Sequence, residues 1–401
     1  MNILYTNFHS LNGGGHTTYI VTLAKALSKE HRISIATPDT SQLYAWRDAL
    51  PDIAFLPFDF KPRIAEWATT ILHLRKLIVA GKFDIIHVNG SADHRFVMLA
   101  CALIRKRPVI VFTKHNEHRA CSIGNAIRAR FFTDHTIAVS DYVKTFLANS
   151  AYRKVSVVKH GIDLDAGHHP ELARQWKGLR DICYGASGRL PHLVLGSTAG
   201  TGAHKGWMTL ANALVLLRPE ERARLSVVLA GELPCDLTLA TLDALDVRRH
   251  FHFTGLITDK NAVLGCSDMA FVLSQKETLS YACREAMAAG LPVMVAASGG
   301  LLENVDDGIN GWVVPPGDAA AVAGVLRQIL NDPDHRLALG RAARSKSVAQ
   351  FGMEGFLVET MSVYHCAIAA RGKQTKDTRT SMDTATGVSK PIVPSNTSQA
   401  L

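Results

Sequence analysis

The 401-residue chain has seven cysteines and not one CxxC pair: Cys101, Cys121, Cys183, Cys235, Cys266, Cys283 and Cys366 stand apart. An odd, scattered set excludes a disulfide framework and a clustered zinc site. The expectation is a reduced, cytoplasmic setting with the thiols as small core residues. No stretch reaches the ~18 uninterrupted apolar residues of a bilayer span. The start, Met1 to Asn7, lacks the basic region and apolar centre of a signal peptide, so no leader is expected. No helix-turn-helix, zinc-finger or aromatic RNP-like pattern is present, and no nucleic-acid partner is expected. Internal repeats are absent as well, which excludes solenoids and propellers.

What is present is a lopsided charge. Residues 1–160 carry 21 Lys and Arg against 11 Asp and Glu, whereas the whole chain has a net charge of +9. All of the surplus therefore lies in the first part. A basic face attracts a phosphorylated substrate or anionic lipid, and it is equally compatible with an ordinary solvated surface. The segment 62–82 sets Ile64, Trp67, Ile71, Leu74 and Ile78 among Arg63, Arg75, Lys76 and Lys82. It reads either as a helix packed on a sheet or as one resting on an anionic membrane.

Short apolar strands alternate with helical patterns whose apolar residues recur three and four apart. Strands are expected at 2–8, 32–36, 84–88, 109–113, 136–139 and 155–158. Helices are expected at 17–27, 64–78, 95–104 and 142–147. From about 164 to 191 charge, His and Gly take over, which suggests a linker. A second series follows at 192–199, 225–230, 251–254, 269–273, 292–296 and 312–314. Such alternation means parallel βαβ units, here two doubly wound α/β domains whose cleft faces the carboxyl ends of the strands. From Gly372 the Thr-, Ser- and Lys-rich chain buries too little to offset its ordering entropy and is expected to be disordered.

The most informative segment runs from Ser274 to Val293 behind an apolar strand. Ser280 suits a helix cap and Gly290 a helix stop. Glu277 then lies in the loop, and Glu285 about 7 Å along the helix axis from Ser280. The free N–H groups at the helix start suit a diphosphate. By spacing alone, two glutamates eight apart are as compatible with plain surface charges. Gly200-Thr201-Gly202-Ala203-His204-Lys205-Gly206 also lies between a strand and a helix. It fits neither a dinucleotide fingerprint, whose third glycine would fall one place earlier, nor a P-loop.

Taken together, the Glu-x7-Glu pair, the Glu-Ala-Met-Ala-x-Gly-x-Pro-Val run, Ser298-Gly299-Gly300-Leu301-Leu302-Glu303 and Gly308-x-x-Gly311-Trp312 closely resemble the signature of glycosyltransferase family 4. That family comprises retaining enzymes of the GT-B fold, two Rossmann-like domains facing a cleft. The resemblance extends to about residue 370. It implies an acceptor-side domain with linker at 1–185, a nucleotide-sugar domain at 186–355, a C-terminal helix crossing back at 356–371, and the tail at 372–401.

Carried over residue by residue, the resemblance makes Glu277 the acid on the donor sugar and Glu285 the acid on the ribose hydroxyls. The backbone at Leu279 and Ser280 would face the distal phosphate, and Lys205 would neutralise the leaving diphosphate. Gly14 and Gly15 match the N-terminal glycine loop over the cleft, His115 the strand-end histidine near the reacting centre, and Gly255 a nucleotide-holding loop. His118 is a weaker alternative to His115. Two departures stand out. The family's Glu-Gly-Phe-Gly is Glu277-Thr278-Leu279-Ser280 here, and its diphosphate arginine is Gly200, with His204 as the nearest replacement. Asp163-x-Asp165 follows a Gly-Ile strand exit and is not read as a metal site.

The function implied is transfer of a sugar from a nucleotide sugar to a saccharide or lipid-linked acceptor, in cell-surface polysaccharide or lipopolysaccharide synthesis, with no metal or other cofactor. A cytoplasmic location follows, with contact at the inner face of an anionic membrane as its extension. A nucleotide-sugar epimerase and a non-catalytic saccharide-binding protein are the competing readings.

Overall fold

The computed structural model describes residues 1–11, 13–165, 193–257 and 259–385, with side chains as far as 372. Most of the expected linker and the end of the expected tail lie outside the described residues.

Seven strands form the first sheet: β1 (Asn2–Thr6), β2 (Arg32–Thr37), β3 (Ile53–Pro57), β4 (Ile85–Val88), β5 (Val109–Lys114), β6 (His135–Ala138) and β7 (Val155–Val157). Their order is β3-β2-β1-β4-β5-β6-β7, and each pairing is parallel. The second sheet holds β8 (Leu193–Ser197), β9 (Leu225–Ala230), β10 (Phe251–Gly255), β11 (Met269–Val272), β12 (Val293–Ala296) and β13 (Gly311–Val314). It runs β10-β9-β8-β11-β12-β13, again parallel throughout. Helices cover both faces, so β4, β5 and β9 are buried along their whole length and are mostly apolar, with His87, Thr113, Lys114 and Ser226 as their buried polar members.

Each sheet reverses its strand order once, between β1 and β4 and between β8 and β11. In an open α/β sheet these are the points where flanking loops diverge and leave a crevice at the carboxyl ends. The sequence reading anticipated twelve of the strands and missed β3. That strand lies at the sheet edge between Pro51 and Pro57, where proline removes no obligatory hydrogen bond.

The second domain does not end the structure. The helix Met353–Ala385 returns to the first domain and buries Phe356, Val363, Tyr364 and Ala367 in its core. Tyr364 Oη lies 2.9 Å from Tyr5 Oη and 2.6 Å from His87 Nδ1. Arg371 holds Asp134 at 2.8 Å. This crossing helix starts earlier than residue 356 and runs past 371, so residues 372–385 are helical where disorder was expected.

In the helix Trp67–Gly81, Leu74 and Ile78 are buried against the first sheet, while Leu72 and Val79, and Ile64 in the short turn before it, remain exposed. The cysteine expectation needs a correction. Cys101, Cys266 and Cys283 are core residues, but Cys121, Cys235 and Cys366 are exposed.

Candidate active site

The loop after β11 carries Glu277 and leads into the helix Tyr281–Ala288. Ser280 caps that helix, its Oγ accepting from Cys283 N at 3.3 Å, and Gly290 follows its end with φ +79°. The loop is fixed from behind. Gly300 N donates to Glu277 O at 2.9 Å, Ser298 Oγ to Gln275 O at 2.7 Å, and Asn304 Nδ2 to Leu279 O. The backbones approach so closely that a Cβ on Gly300 would sit 2.1 Å from Thr278 O. Asn304 is itself held by the buried Arg284, whose Nε donates to Asn304 Oδ1 at 2.9 Å. Leu279 and Ser280 are buried, yet their backbone N–H groups have no acceptor among the described residues. Buried N–H groups without partners are rare, and beside a helix N-terminus they form an anion-binding arrangement.

Ser280 itself takes φ +78°, a backbone conformation that favours glycine. The sequence departure at this position therefore has a backbone consequence: a serine occupies the conformation for which glycine is suited.

Two ion pairs face this loop. Lys205 Nζ lies 3.1 Å from Glu277 Oε2, and Lys260 Nζ lies 2.7 Å from Glu285 Oε1. The other oxygen, Glu285 Oε2, is buried and unpartnered. So are Thr198 Oγ1, just beyond β8, and Ser274 Oγ, just beyond β11. Orphaned polar atoms lose hydration without compensation, and these three lie on the loops and helix around the β8–β11 reversal. Hydroxyl groups of a ligand would satisfy them. Lys205 follows the expected loop after β8, where Gly206 at φ +68° puts its Cα against Leu273 O, 1.9 Å from any added Cβ. His204 is exposed, and its carbonyl accepts from Gln275 N at 3.0 Å. Gly255 ends β10 and accepts from Gly231 N at 3.1 Å, which joins two neighbouring loops.

Lys260 escaped the sequence reading. Its only signal was that it is the one cation between Leu256 and Lys260, next to the loop already singled out. Arg284 and Asn304 escaped as well, since neither pattern nor spacing shows that a charged helix residue is buried.

At the first sheet, His115 stands at the end of β5. Its Nε2 lies 3.1 Å from Asn89 Oδ1, and its ring packs on His16 at 4.1 Å and edge-on to Tyr19 at 4.7 Å. His16 Nδ1 in turn meets His9 Nε2 at 3.3 Å. Burial, reinforced by the neighbouring His9, pushes His16 down to about 3, and burial also holds His115 well below the ordinary histidine value. Both rings are neutral near pH 7. His118 is exposed, and its carbonyl only steadies Lys114 Nζ at 2.6 Å. Gly14, at φ +52°, and Gly15 begin the helix Gly15–Leu27, and a Cβ on Gly15 would lie 4.0 Å from the Tyr281 ring.

The two halves meet here. Tyr281 stacks on His160 with centroids 3.6 Å apart and planes 9° off parallel. Arg284 Nη1 donates to His160 O at 2.5 Å. Further out, Glu303 accepts from Tyr142 N at 2.7 Å and Asp141 N at 3.2 Å, and pairs with Lys159 at 2.8 Å. Asp163 accepts from Asp165 N at 3.0 Å and makes a local turn, while Asp165 faces Arg344 at 3.9 Å.

The chain matches the family models "Glycosyltransferase Family 4" over residues 13–166 and "Glycosyl transferases group 1" over residues 194–346. It is 33% identical to D-inositol 3-phosphate glycosyltransferase of Salinispora arenicola, covering 92% of this chain and 91% of that one. The chain belongs to the group 1 glycosyltransferases. Spore coat protein SA of Bacillus subtilis is 24% identical over 88% of this glycosyltransferase and 95% of its own length. The structure resembles Anabaena Alr3699/HepE in complex with UDP, with a TM-score of 0.76 at 19% identity, covering 90% of this chain and all of that one. A complex of the same Anabaena protein with UDP-glucose gives 0.75 at 20% identity, over 90% and 99% of the two chains. These likenesses identify the two sheets as the GT-B fold.

Proposed function

We propose that this glycosyltransferase moves a sugar from a nucleoside diphosphate sugar to a hydroxyl of a saccharide or lipid-linked acceptor, with retention of anomeric configuration. The observation that carries the donor half is Glu285, one oxygen on Lys260 and the other buried without a partner. A ribose diol supplies the missing donors. The diphosphate would lie on the N–H groups of Leu279 and Ser280, beside Lys205. Glu277, now paired with Lys205, would turn to the donor sugar once the phosphate takes over that lysine. The Anabaena complexes with UDP and UDP-glucose support a donor of this class.

As the bond to the leaving diphosphate stretches, charge builds on its oxygens. Preorganised N–H groups and lysines stabilise that charge more than they do the ground state. The departing phosphate would take the acceptor proton, so no separate general base is assigned. Lys205 and the N–H groups of Leu279 and Ser280 would carry the charge that a divalent ion would otherwise balance, which makes metal-independent transfer the reading. EDTA should leave the rate unchanged. A thermal-shift screen against UDP-, GDP- and ADP-sugars should show stabilisation by one donor class, weakened at least tenfold in Glu285→Ala. Binding of none of these, with transfer unaffected in Glu285→Ala, would sink the reading. Product analysis without acceptor separates transfer from epimerisation, and the anomeric coupling of the product tests retention.

The acceptor half rests on the basic first domain. A depression of about 630 Å³ is lined by Arg107, Arg130, Arg153, Lys154 and Arg371, with Asp134 as its one carboxylate. Exposed Ile123, Ile127 and Phe131 form a stripe on the adjoining helix Ile123–Phe131. Such a surface fits peripheral contact with an anionic membrane on its cytoplasmic face, where lipid-linked acceptors for cell-surface polysaccharide or lipopolysaccharide are held. Cosedimentation with vesicles containing anionic lipid, and not with purely zwitterionic ones, is the expected result. Equal partition to both would remove this part.

A further inference from the structure

Asn89 follows β4 and is buried. Its amide orientation is not ambiguous. Nδ2 lies 3.1 Å from Thr6 O and 3.4 Å from His87 O, and backbone carbonyls can only accept. Oδ1 is therefore the oxygen, and it faces His115 Nε2 at 3.1 Å. An oxygen can only accept, so His115 Nε2 must carry a proton. A neutral imidazole holds one N–H, which leaves Nδ1 as a bare acceptor. Nδ1 has no hydrogen-bond partner among the described residues, and His115 is only half-buried.

Asn89 is in turn fixed. Its backbone N donates to Asp93 Oδ2 at 2.8 Å, and Thr6 Oγ1 donates to the same oxygen at 2.5 Å. Asp93 belongs to the first turn of the helix Ser91–Cys101. The ring itself is clamped between His16 and Tyr19. Tautomer, position and tilt of His115 are all set before any ligand arrives.

We propose that Asn89 is a positioning residue that locks His115 in the Nε2–H tautomer, so that Nδ1 accepts a hydrogen bond from a sugar hydroxyl in the cleft. The inference rests on the glycosyltransferase reading and adds to it the atom that reads the hydroxyl and the residue that selects it. The proton is not transferred to His115, since a ring this weakly basic orients a hydroxyl without taking its proton. A hydroxyl, or the N–H of an amino or acetamido sugar, can satisfy Nδ1, whereas the ring oxygen and ethers have nothing to donate.

Two experiments on the full chain test it. The first reads the side-chain nitrogens of 15N-histidine-labelled protein at pH 7, with the His115 signals assigned by their loss in His115→Asn. Nε2 should be protonated and Nδ1 a bare, pyridine-like nitrogen. A proton on Nδ1 would overturn the proposal, and this readout stands whether or not a donor has been found. In Asn89→Leu the signals should shift to a tautomer mixture, and transfer should fall about tenfold or more.

The second uses isosteres. An Asn side chain places an oxygen near the former Nδ1, whereas Gln reaches to the former Nε2. His115→Asn should thus retain at least tenfold more transfer than His115→Gln at equal thermal stability. The reverse order, or equal rates, counts against Nδ1. A rise in donor KM assigns the hydroxyl to the donor sugar, and a rise in acceptor KM alone assigns it to the acceptor. If Asn89→Leu fails to fold, the isostere pair and the unaltered protein still decide.

Discussion

Acidifying the protein from pH 7 to pH 5 should destabilise it by at least about 2–3 kcal/mol, and the first domain should be where the loss arises. His87 and His94 are fully buried. Burial pushes both down to about 3, from 6.5. His87 has both ring nitrogens engaged, by Tyr364 Oη and Thr113 Oγ1, and His94 lies near the Arg128 and Arg107 charges. Below pH 6.5 the unfolded chain takes up protons that the native rings refuse. Stability therefore falls as the pH drops from 6.5 towards 3. At pH 5 the loss is about 2 kcal/mol for each ring. Asp93 acts in the opposite sense. Burial raises it from 3.8 to about 6, so the native carboxyl is protonated first and folding gains about 1 kcal/mol by pH 5. The histidines win. His16, likewise pushed down to about 3, and His115 and His160, both held well below 6.5 chiefly by burial, add in the same direction and enlarge the loss. Urea unfolding followed by circular dichroism at the two pH values, with slopes compared, measures the effect. A midpoint that stays put or rises at pH 5 would mean that these rings are not buried neutral.

Ser280→Gly should raise the melting temperature by about 1–2 °C. It relieves about 1 kcal/mol of φ strain and forfeits only a few tenths of capping. Ser280→Ala keeps the strain and loses the cap, so it should melt lower than both; equal losses in Gly and Ala would refute the strain argument. Glu303→Ala removes the charge-assisted bonds to Tyr142 N and Lys159 that tie the two domains, each worth about 1.5–3 kcal/mol. The population with the domains in the described arrangement should fall about tenfold or more, seen as a larger radius of gyration by small-angle scattering with the melting temperature of each domain little changed. An unchanged radius would show that the domains are held elsewhere.

The architecture was legible because two parallel sheets covered on both faces leave largely apolar runs separated by amphipathic stretches. β3 hid behind its flanking prolines, and residues 372–385 hid behind a polar composition that nevertheless continues a helix. The loop after β11 was legible from a motif combination, with Ser280 as cap and Gly290 as stop. What sequence could not show was which charges meet. Lys260 reaches Glu285 from a loop 25 residues away, and Arg284 is buried because His160 O, Asn304 Oδ1 and the Phe351 ring surround it. His115 was singled out as a strand-end histidine, but its tautomer depends on Asn89, which follows another strand and whose amide is oriented by Thr6 and His87.

The returning helix bears on how the chain is made. Tyr5 bonds Tyr364, 359 residues later, and Asp134 waits for Arg371. At about 5–20 residues per second, synthesis of that interval takes roughly 20–70 s. Throughout it the first sheet exists without the strap that covers its buried tyrosines and His87. The second sheet, by contrast, draws all its strands from residues 193–314 and is complete as soon as they emerge. The domain translated first is thus finished last. A ribosome stalled before residue 364 would hold a nascent protein whose second sheet is complete and whose first sheet still lacks the helix that covers it.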